Sequence, residues 1–339
     1  MIPGDGIGKE VIAATRKVLE ATKIPFQFQH LEAGWEVFLK TGNALPPQTL
    51  ATLKEGAFSG AMFGAVSSPV DRVEGYSSPI VALRKLLDLY ANLRPVQCSA
   101  EDSPNKKKID IMIVRENTEC LYVKSEKLTV LPDGTKKAVA DRVITETASR
   151  RIGRMAYNLA TQRKQQGGMG KLTVVHKSNV LSITDGLFRE TVLNLRKEYP
   201  GIKVEEQIVD SMVYKLFREP DVFDVVVAPN LYGDIISDAA AGLVGSLGLV
   251  PGANVSDSFY LAEPVHGSAP DIAGKGIANP IAAIRSGVML LEKLGYAKEG
   301  RVITMAIEST LKNGIATPDI GGTNTTEQVT DSIISFLNE

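Results

Sequence analysis

Two hydrophobic periods alternate along this chain, and that alternation restricts its fold more than any other feature. Apolar, β-branched runs read as strands at GAMFGAV (60–66), IDIMIVRE (109–116), KLTVVHK (171–177), KVEEQIV (203–209) and FDVVVAPN (223–230). Around them, KEVIAATRKVLEAT, SRRIGRMAYNLATQRK, DGLFRETVLNLRKEY and IAAIRSGVMLLEKLG place apolar residues at helical spacing. Short strands and amphipathic helices in this order bury their apolar faces as an α/β structure around a twisted, largely parallel sheet. The stretch LTVLPDGTKKAVADRVITE (128–146) breaks the pattern. Two alternating strands flank Pro132-Asp133-Gly134, which predicts a projecting hairpin, either a surface excursion or a dimer arm. SAEDSPNKKK (99–108) and RKQQGGMGK (163–171) read as polar loops. With 339 residues, the chain is long enough for two lobes.

Composition narrows the partners. A formal net charge of -1 argues against a nucleic acid or an anionic membrane surface. A local arginine cluster for an anionic substrate is still compatible with that total. No apolar run approaches the ~20 residues needed to span a bilayer. Cys98 and Cys120 supply neither a disulfide framework nor metal-ligand spacing, which favours a reducing compartment.

The opening IPGDGIGKE suggests a dinucleotide-binding turn, but the spacing fails. G-x-G-x-x-G places its third glycine where helix and strand must touch. Counting from Gly4 that slot is Lys9, and from Gly6 it is Val11. The stretch reads instead as a flexible strand-to-helix turn whose leading strand is nearly missing.

NLYGDIISDAAAGLVGSLGLVPGANV (230–255) is the strongest chemical signal. Asp234 and Asp238 lie four apart on one helical face and repel unless a cation sits between them. Helix N-terminal charge would explain Asp234 better than Asp238. Oxygen donors suit Mg²⁺ or Mn²⁺. Arg84, Arg94 and Arg115 lie near strand ends and a loop. Each alone reads as surface or turn decoration, but together they make a clamp for a polycarboxylate. Tyr122 reads as a half-buried strand tyrosine. Lys177 and Asn179 follow an apolar strand, where a buried lysine would serve as a base and an exposed one would be solvated. Asp210 is a loop cap or a ligand. EPVHGSAPDIAGKGIANP (263–280) is an ordered loop or a ligand loop. If it holds an adenosine, the acidic Asp271 favours NAD over NADP.

Together these segments resemble the β-decarboxylating dehydrogenases: isocitrate, 3-isopropylmalate, tartrate/malate and homoisocitrate enzymes. The resemblance runs over essentially the whole chain. The 230–255 segment is similar to the family signature, HGSAPDIAGKGIANP to the adenosine loop of NAD-using members, and GDGIG to the family's opening. GYSSPIVALRKLLDLYANLRPV and RENTECLYVKSE are most similar to the homoisocitrate-type members of fungi. Cys120 departs from the glycine of many members.

The resemblance implies an isocitrate/isopropylmalate dehydrogenase-like α/β fold, two-lobed, with a central mixed sheet and a dimer arm, and not a Rossmann fold. It implies a discontinuous large cofactor-binding domain (1–89 and 245–339). A small dimerisation and substrate domain (90–244) would carry the arm hairpin at 123–146. Tyr122 and Lys177 would be the acid–base pair. Ser78, Arg84, Arg94, Arg115 and Asn179 would bind substrate. Asp210, Asp234 and Asp238 would bind Mg²⁺ or Mn²⁺. His266, Gly267, Ser268, Ala269, Asp271 and Asn279 would line NAD. Lys177, Asn179 and Asp210 would cross from a partner subunit, so the resemblance implies a homodimer or tetramer with shared sites.

The implied reaction is NAD-dependent oxidative decarboxylation of a tricarboxylate, homoisocitrate, to 2-oxoadipate in lysine biosynthesis. Fungal relatives place it in the mitochondrial matrix, with a cytoplasmic location as the alternative. The other readings are an NAD-dependent isocitrate dehydrogenase, an isopropylmalate-type relative, or a non-catalytic regulatory subunit. The full residue set argues against the last.

Overall fold

The computed structural model describes every residue except Ala57, Val70, Arg72, Asp102, Pro104, Asn105 and Glu339. The polar loop expected over 99–108 therefore lies partly outside the described residues.

From the N terminus run β1 (Ile2–Gly4), α1 (Gly8–Ala21), α2 (Trp35–Thr41), α3 (Pro47–Lys54), β2 (Ala61–Ala65) and α4 (Pro79–Leu86). Then come β3 (Ala91–Cys98), β4 (Ile109–Glu116), β5 (Glu126–Val130), β6 (Lys136–Ala140) and α5 (Glu146–Gln165). They are followed by β7 (Lys171–His176), α6 (Thr184–Asn194), β8 (Lys203–Ile208), α7 (Val209–Arg218), β9 (Val225–Ala228) and α8 (Asn230–Gly242). The chain closes with β10 (Ala253–Val255), β11 (Tyr260–Ala262), α9 (Ile281–Lys293), α10 (Ala297–Lys312) and α11 (Thr326–Leu337). All five expected strands and all four expected helices are present. Among the described residues, no helix is long and apolar enough to cross a membrane.

The chain divides into two compact units. The first joins Met1–Leu89 to Val244–Glu339. Its strands run β1-β2-β11-β10, parallel except for the antiparallel β10–β11 pair. Ile2 pairs with Phe63 and Gly4 with Ala65, so the leading strand expected to be nearly missing does form, over three residues. Helices α1, α9, α10 and α11 pack through Val18, Ile284, Leu291, Ile307 and Ile333. Ile2, Phe63, Leu83 and Leu261 form a second cluster beside the strands.

The second unit is the continuous segment Tyr90–Leu243. Its strands run β3-β4-β9-β7-β8, with only the β3–β4 pair antiparallel. Val225, Val226 and Val227 of the central strand are fully buried, as a strand covered on both faces requires. Ile152, Ala156 and Tyr157 of α5 are buried in the same unit.

The expected hairpin is β5 and β6, with Gly134 at φ 82 in its turn. Every residue of both strands is exposed, including Leu128 and Val130. An isolated two-stranded hairpin is marginal in water, so these apolar residues call for a covering surface.

Candidate active site

The second unit gathers most of the chemistry around α8. Asp234 and Asp238 share a face of this helix, but they lie beyond its first turn, so N-terminal dipole charge does not account for them. Their repulsion is offset by arginines. Arg115 Nη1 donates to Asp234 Oδ1. Arg94 Nη1 donates to Asp238 Oδ1 at 2.9 Å and to Ser237 Oγ at 2.6 Å. Arg94 does not decorate a turn. It sits inside β3, paired with Ile113 of β4, because the apolar run around it continues as a strand.

Arg115 is 1% exposed, a costly place for a charge unless every donor finds an acceptor. Asn230 Oδ1 accepts from both Nε at 2.9 Å and Nη2 at 2.7 Å. A Cβ on Gly233 would meet Arg115 Cγ at 2.6 Å, so only glycine lets α8 approach β4 this closely.

Tyr122 lies in a short 3-10 turn (Leu121–Val123) rather than a strand. Its hydroxyl donates to Asp234 Oδ2, and its ring lies 5.1 Å from the Arg115 guanidinium. Burial, with the Asp234 hydrogen bond second, raises the phenol pKa. The group is thereby kept protonated, as a proton donor must be.

Lys177 follows β7 and pairs with Asp210 Oδ1 at 2.5 Å, in the first turn of α7. That hydrogen bond holds the Asp210 carboxyl below its ordinary range. Asn179 is exposed in the next turn. The described residues hold no cluster of three histidine, cysteine or acidic side chains fit for a metal. Asp210 therefore does not join Asp234 and Asp238 within one chain. Two partly exposed carboxylates one turn apart still suit a hard divalent cation that takes water, substrate or further oxygen ligands.

The first unit carries the remaining candidates. Arg84, on α4, donates from Nε to Asn254 Oδ1 at 3.0 Å and lies 3.5 Å from Glu263 Oε2. Ser78 is the residue before that helix, and its carbonyl accepts from Ala82 N–H at 3.1 Å.

The loop at 263–280 is irregular yet well anchored. Ser268 carbonyl accepts from Ile7 N–H at 2.9 Å, and its hydroxyl meets Ser67 Oγ at 2.9 Å. Asn279 donates to Asp319 and caps Ile281 N–H. Ala269 has a positive φ of 37. Gly267 and Asp271 face solvent. His266 is 9% exposed, and its Nε2 has no hydrogen-bond partner. A buried donor or acceptor left unpaired in a loop suits a polar ligand such as a nucleoside.

The GDGIG turn supports this loop and is not flexible. Asp5 is 1% exposed and accepts from Trp35 N–H, Glu36 N–H and Ser67 N–H at 2.7–2.9 Å. Two of those donors open α2 and lack intrahelical partners. Gly6, at φ 55, has no room for a Cβ, which would fall 2.1 Å from Ser268 O.

Burial lowers the His266 pKa from the ordinary 6.5. The folded state then holds a neutral ring where the unfolded chain takes up a proton. Stability is fully present above about pH 6.5 and is lost as pH falls from there through the lowered folded value. Thermal melts from about pH 7.5 to about pH 5 should show a falling Tm, with this histidine supplying at most about 1.4 kcal/mol per pH unit. His266→Gln should flatten that slope.

Several supporting residues escaped the sequence reading. Asn230 was within reach, one turn before Asp234 on the same face. Ser237, Asn254, Glu263 and Asp5 carry no spacing signal. They emerge only as partners of the arginines and of the opening turn.

A family model described as isocitrate/isopropylmalate dehydrogenase matches residues 1–333. The chain is 46% identical over 337 residues to an isocitrate/homoisocitrate dehydrogenase of Thermus thermophilus, covering 99% of this chain and 97% of that one. It is 47% identical over 339 residues to a 3-isopropylmalate/3-methylmalate dehydrogenase of Methanocaldococcus jannaschii, covering 100% and 98%. Among solved structures, isocitrate dehydrogenase from Methylococcus capsulatus superposes with a TM-score of 0.92 at 39% identity, covering 100% of this chain and 98% of that one.

Proposed function

This chain belongs to the isocitrate/isopropylmalate dehydrogenase family of β-decarboxylating dehydrogenases, and we propose that it oxidises and decarboxylates homoisocitrate to 2-oxoadipate with NAD. The observation that carries the reaction type is the cluster on α8. It sets a protonated phenol, two carboxylates and two buried arginines around one helical face. The homoisocitrate choice is supported by the segments at 75–96 and 115–126 and by the name of the Thermus thermophilus relative. Asp271, exposed in the 263–280 loop, supports NAD over NADP.

In this reading the guanidinium forks of Arg94 and Arg115 bind substrate carboxylates. Arg84 adds a third cation, with Ser78 and Asn179 as further polar contacts. Asp234 and Asp238 hold Mg²⁺ or Mn²⁺ together with Asp210 of a partner subunit. When bound, the divalent ion polarises the substrate's hydroxyl and carbonyl oxygens as a Lewis acid, and NAD accepts the hydride. Lys177 takes the hydroxyl proton as hydride leaves the carbinol carbon, giving a ketone with a β-carboxylate. The C–C bond to that carboxylate breaks, CO₂ departs, and Tyr122 returns a proton to the carbon left behind. Per turnover, homoisocitrate and NAD⁺ give 2-oxoadipate, CO₂ and NADH.

Lys177 and Asp210 meet each other in one chain and not the α8 carboxylates, which supports a dimer with shared sites. The exposed apolar hairpin supports the same assembly.

A substrate panel tests the assignment. NADH formation with Mg²⁺ should be fastest, by kcat/KM, on homoisocitrate. A clear preference for isocitrate or 3-isopropylmalate would reassign the substrate within the family. No turnover on any of the three would favour a regulatory subunit.

A further inference from the structure

Lys177 is held by its backbone as well as by its ammonium group. Its N–H donates to Asp185 Oδ2 at 2.7 Å. Its carbonyl accepts from Leu181 N–H at 2.9 Å, and the Leu181 carbonyl accepts from Asp185 N–H at 3.0 Å. The segment from 177 to 185 is thus closed on itself by a side chain at one end and two turns of backbone at the other.

Asp185 is fully buried in the first turn of α6. Its second oxygen accepts a hydrogen bond from Arg142 Nε at 3.0 Å and lies 2.9 Å from Nη2 as an ion pair without a hydrogen bond. Arg142 follows β6 at the base of the hairpin and is clamped in its turn. Its guanidinium lies 4.5 Å from the centre of the Tyr232 ring, and its Nη1 is 3.0 Å from Cys120 Sγ. Cys120 lies two residues before Tyr122, and Tyr232 two before Asp234.

A buried ion pair is a poor source of stability, because apolar residues of the same volume often serve as well or better. A carboxylate at this point has another use. It is the acceptor that fixes the amide of Lys177, and Arg142 pairs with it and orients it.

We propose that Asp185 and Arg142 are positioning residues that set the direction in which Lys177 leaves β7. This rests on the reading of Lys177 as the base. Arg142 fixes Asp185 through its Nε hydrogen bond and ion pair, Asp185 fixes the Lys177 amide, and the amide fixes where the amine reaches.

The experiment compares Asp185→Asn, Arg142→Lys and Lys177→Met in the full chain with Mg²⁺, NAD⁺ and the preferred substrate. Asp185→Asn keeps the shape and loses the charge. Arg142→Lys keeps the charge and loses the Nε hydrogen bond and the stacked plane. Misplacing a reacting group by about 1 Å can cost ~10²-fold, so both positioning variants should lower kcat about 10- to 100-fold. KM for both substrates should stay within about twofold, as expected when only the chemical step is impaired. The primary isotope effect with substrate deuterated at the carbinol carbon should rise, which a merely structural defect would not produce.

An inactive Lys177→Met beside normal kcat in both positioning variants would reject the positioning role alone. So would a loss that only tracks the folded fraction, with no change in the isotope effect. An active Lys177→Met would instead overturn the base assignment, and the positioning role with it. Where Asp185→Asn fails to fold, Arg142→Lys decides. Where both fail, Tyr232→Leu, which removes both the ring stacked on Arg142 and the phenol that meets Asp185, decides by the same criteria.

Discussion

Replacing Lys177 by methionine is expected to lower kcat about 10²- to 10⁴-fold, the usual worth of a positioned acid or base. The fold should survive. The Lys177–Asp210 pair is partly exposed, with side-chain accessibilities of 26% and 67%, and such pairs contribute only ~0–1 kcal/mol. The methionine backbone still donates to Asp185. Tyr122→Phe should lose a similar factor while keeping its ring against Arg115. The two losses should differ in kind. Lys177→Met should slow hydride transfer, so NADH formation falls by that factor. Tyr122→Phe should chiefly slow protonation of the product carbon, read as slower deuterium uptake from D₂O. Steady-state rates, circular dichroism and product mass spectra decide between them. Near-normal turnover in both variants would refute the assignment.

Asp234→Asn is expected to damage metal binding and stability together. The carboxylate accepts from Arg115 and Tyr122, and the arginine is almost fully buried. An amide still offers one oxygen acceptor but not the charge. Because the Asp234 side chain is 31% exposed, the cost is set near that of an impaired hydrogen bond to a charged group, about 1–3 kcal/mol. The Mg²⁺ concentration for half-maximal rate should rise at least about tenfold, since even outer-shell partners of a metal are worth that much. Chelation with EDTA should abolish wild-type activity, and added Mg²⁺ should restore it. An unchanged Mg²⁺ requirement in Asp234→Asn would remove this residue from the metal site. An unchanged melting curve would show that Arg115 does not depend on the Asp234 charge for its pairing.

Period carried most of the fold into the sequence. The all-apolar β9 run and the amphipathic α9 stretch could each be read without tertiary information. β3 could not, because Arg94 and Pro95 interrupt its apolar pattern and its partner is reached only through an antiparallel register. At the site, the i, i+4 spacing of Asp234 and Asp238 was legible, while the source of their counter-charge was not. That charge comes from β3 and β4, more than a hundred residues away along the chain. Asp185 shows the same limit. Eight positions beyond Lys177, it looks like an ordinary acidic residue in a first helical turn, a place the macrodipole favours. Only the fold reveals that its side chain turns back to the lysine amide. The opening glycines were recognised as a turn, but their rigidity depends on Ser268 and on the three amides gathered by Asp5.

The division of the chain also dictates an order of assembly on the ribosome. Tyr90–Leu243 is contiguous, and all the strands within it are present once β9 has been made. Domains fold as units during synthesis, so this segment can acquire its core while the rest is still being translated. The other unit has no such freedom. β2 must wait for β11, which pairs Leu261 with Ala61, and α1 must wait for α9 and α11 to complete its cluster. The early part of this unit is thus made well before its partners, and Ile2, Phe63 and Leu83 form an apolar surface that stays open until β11 brings in Leu261.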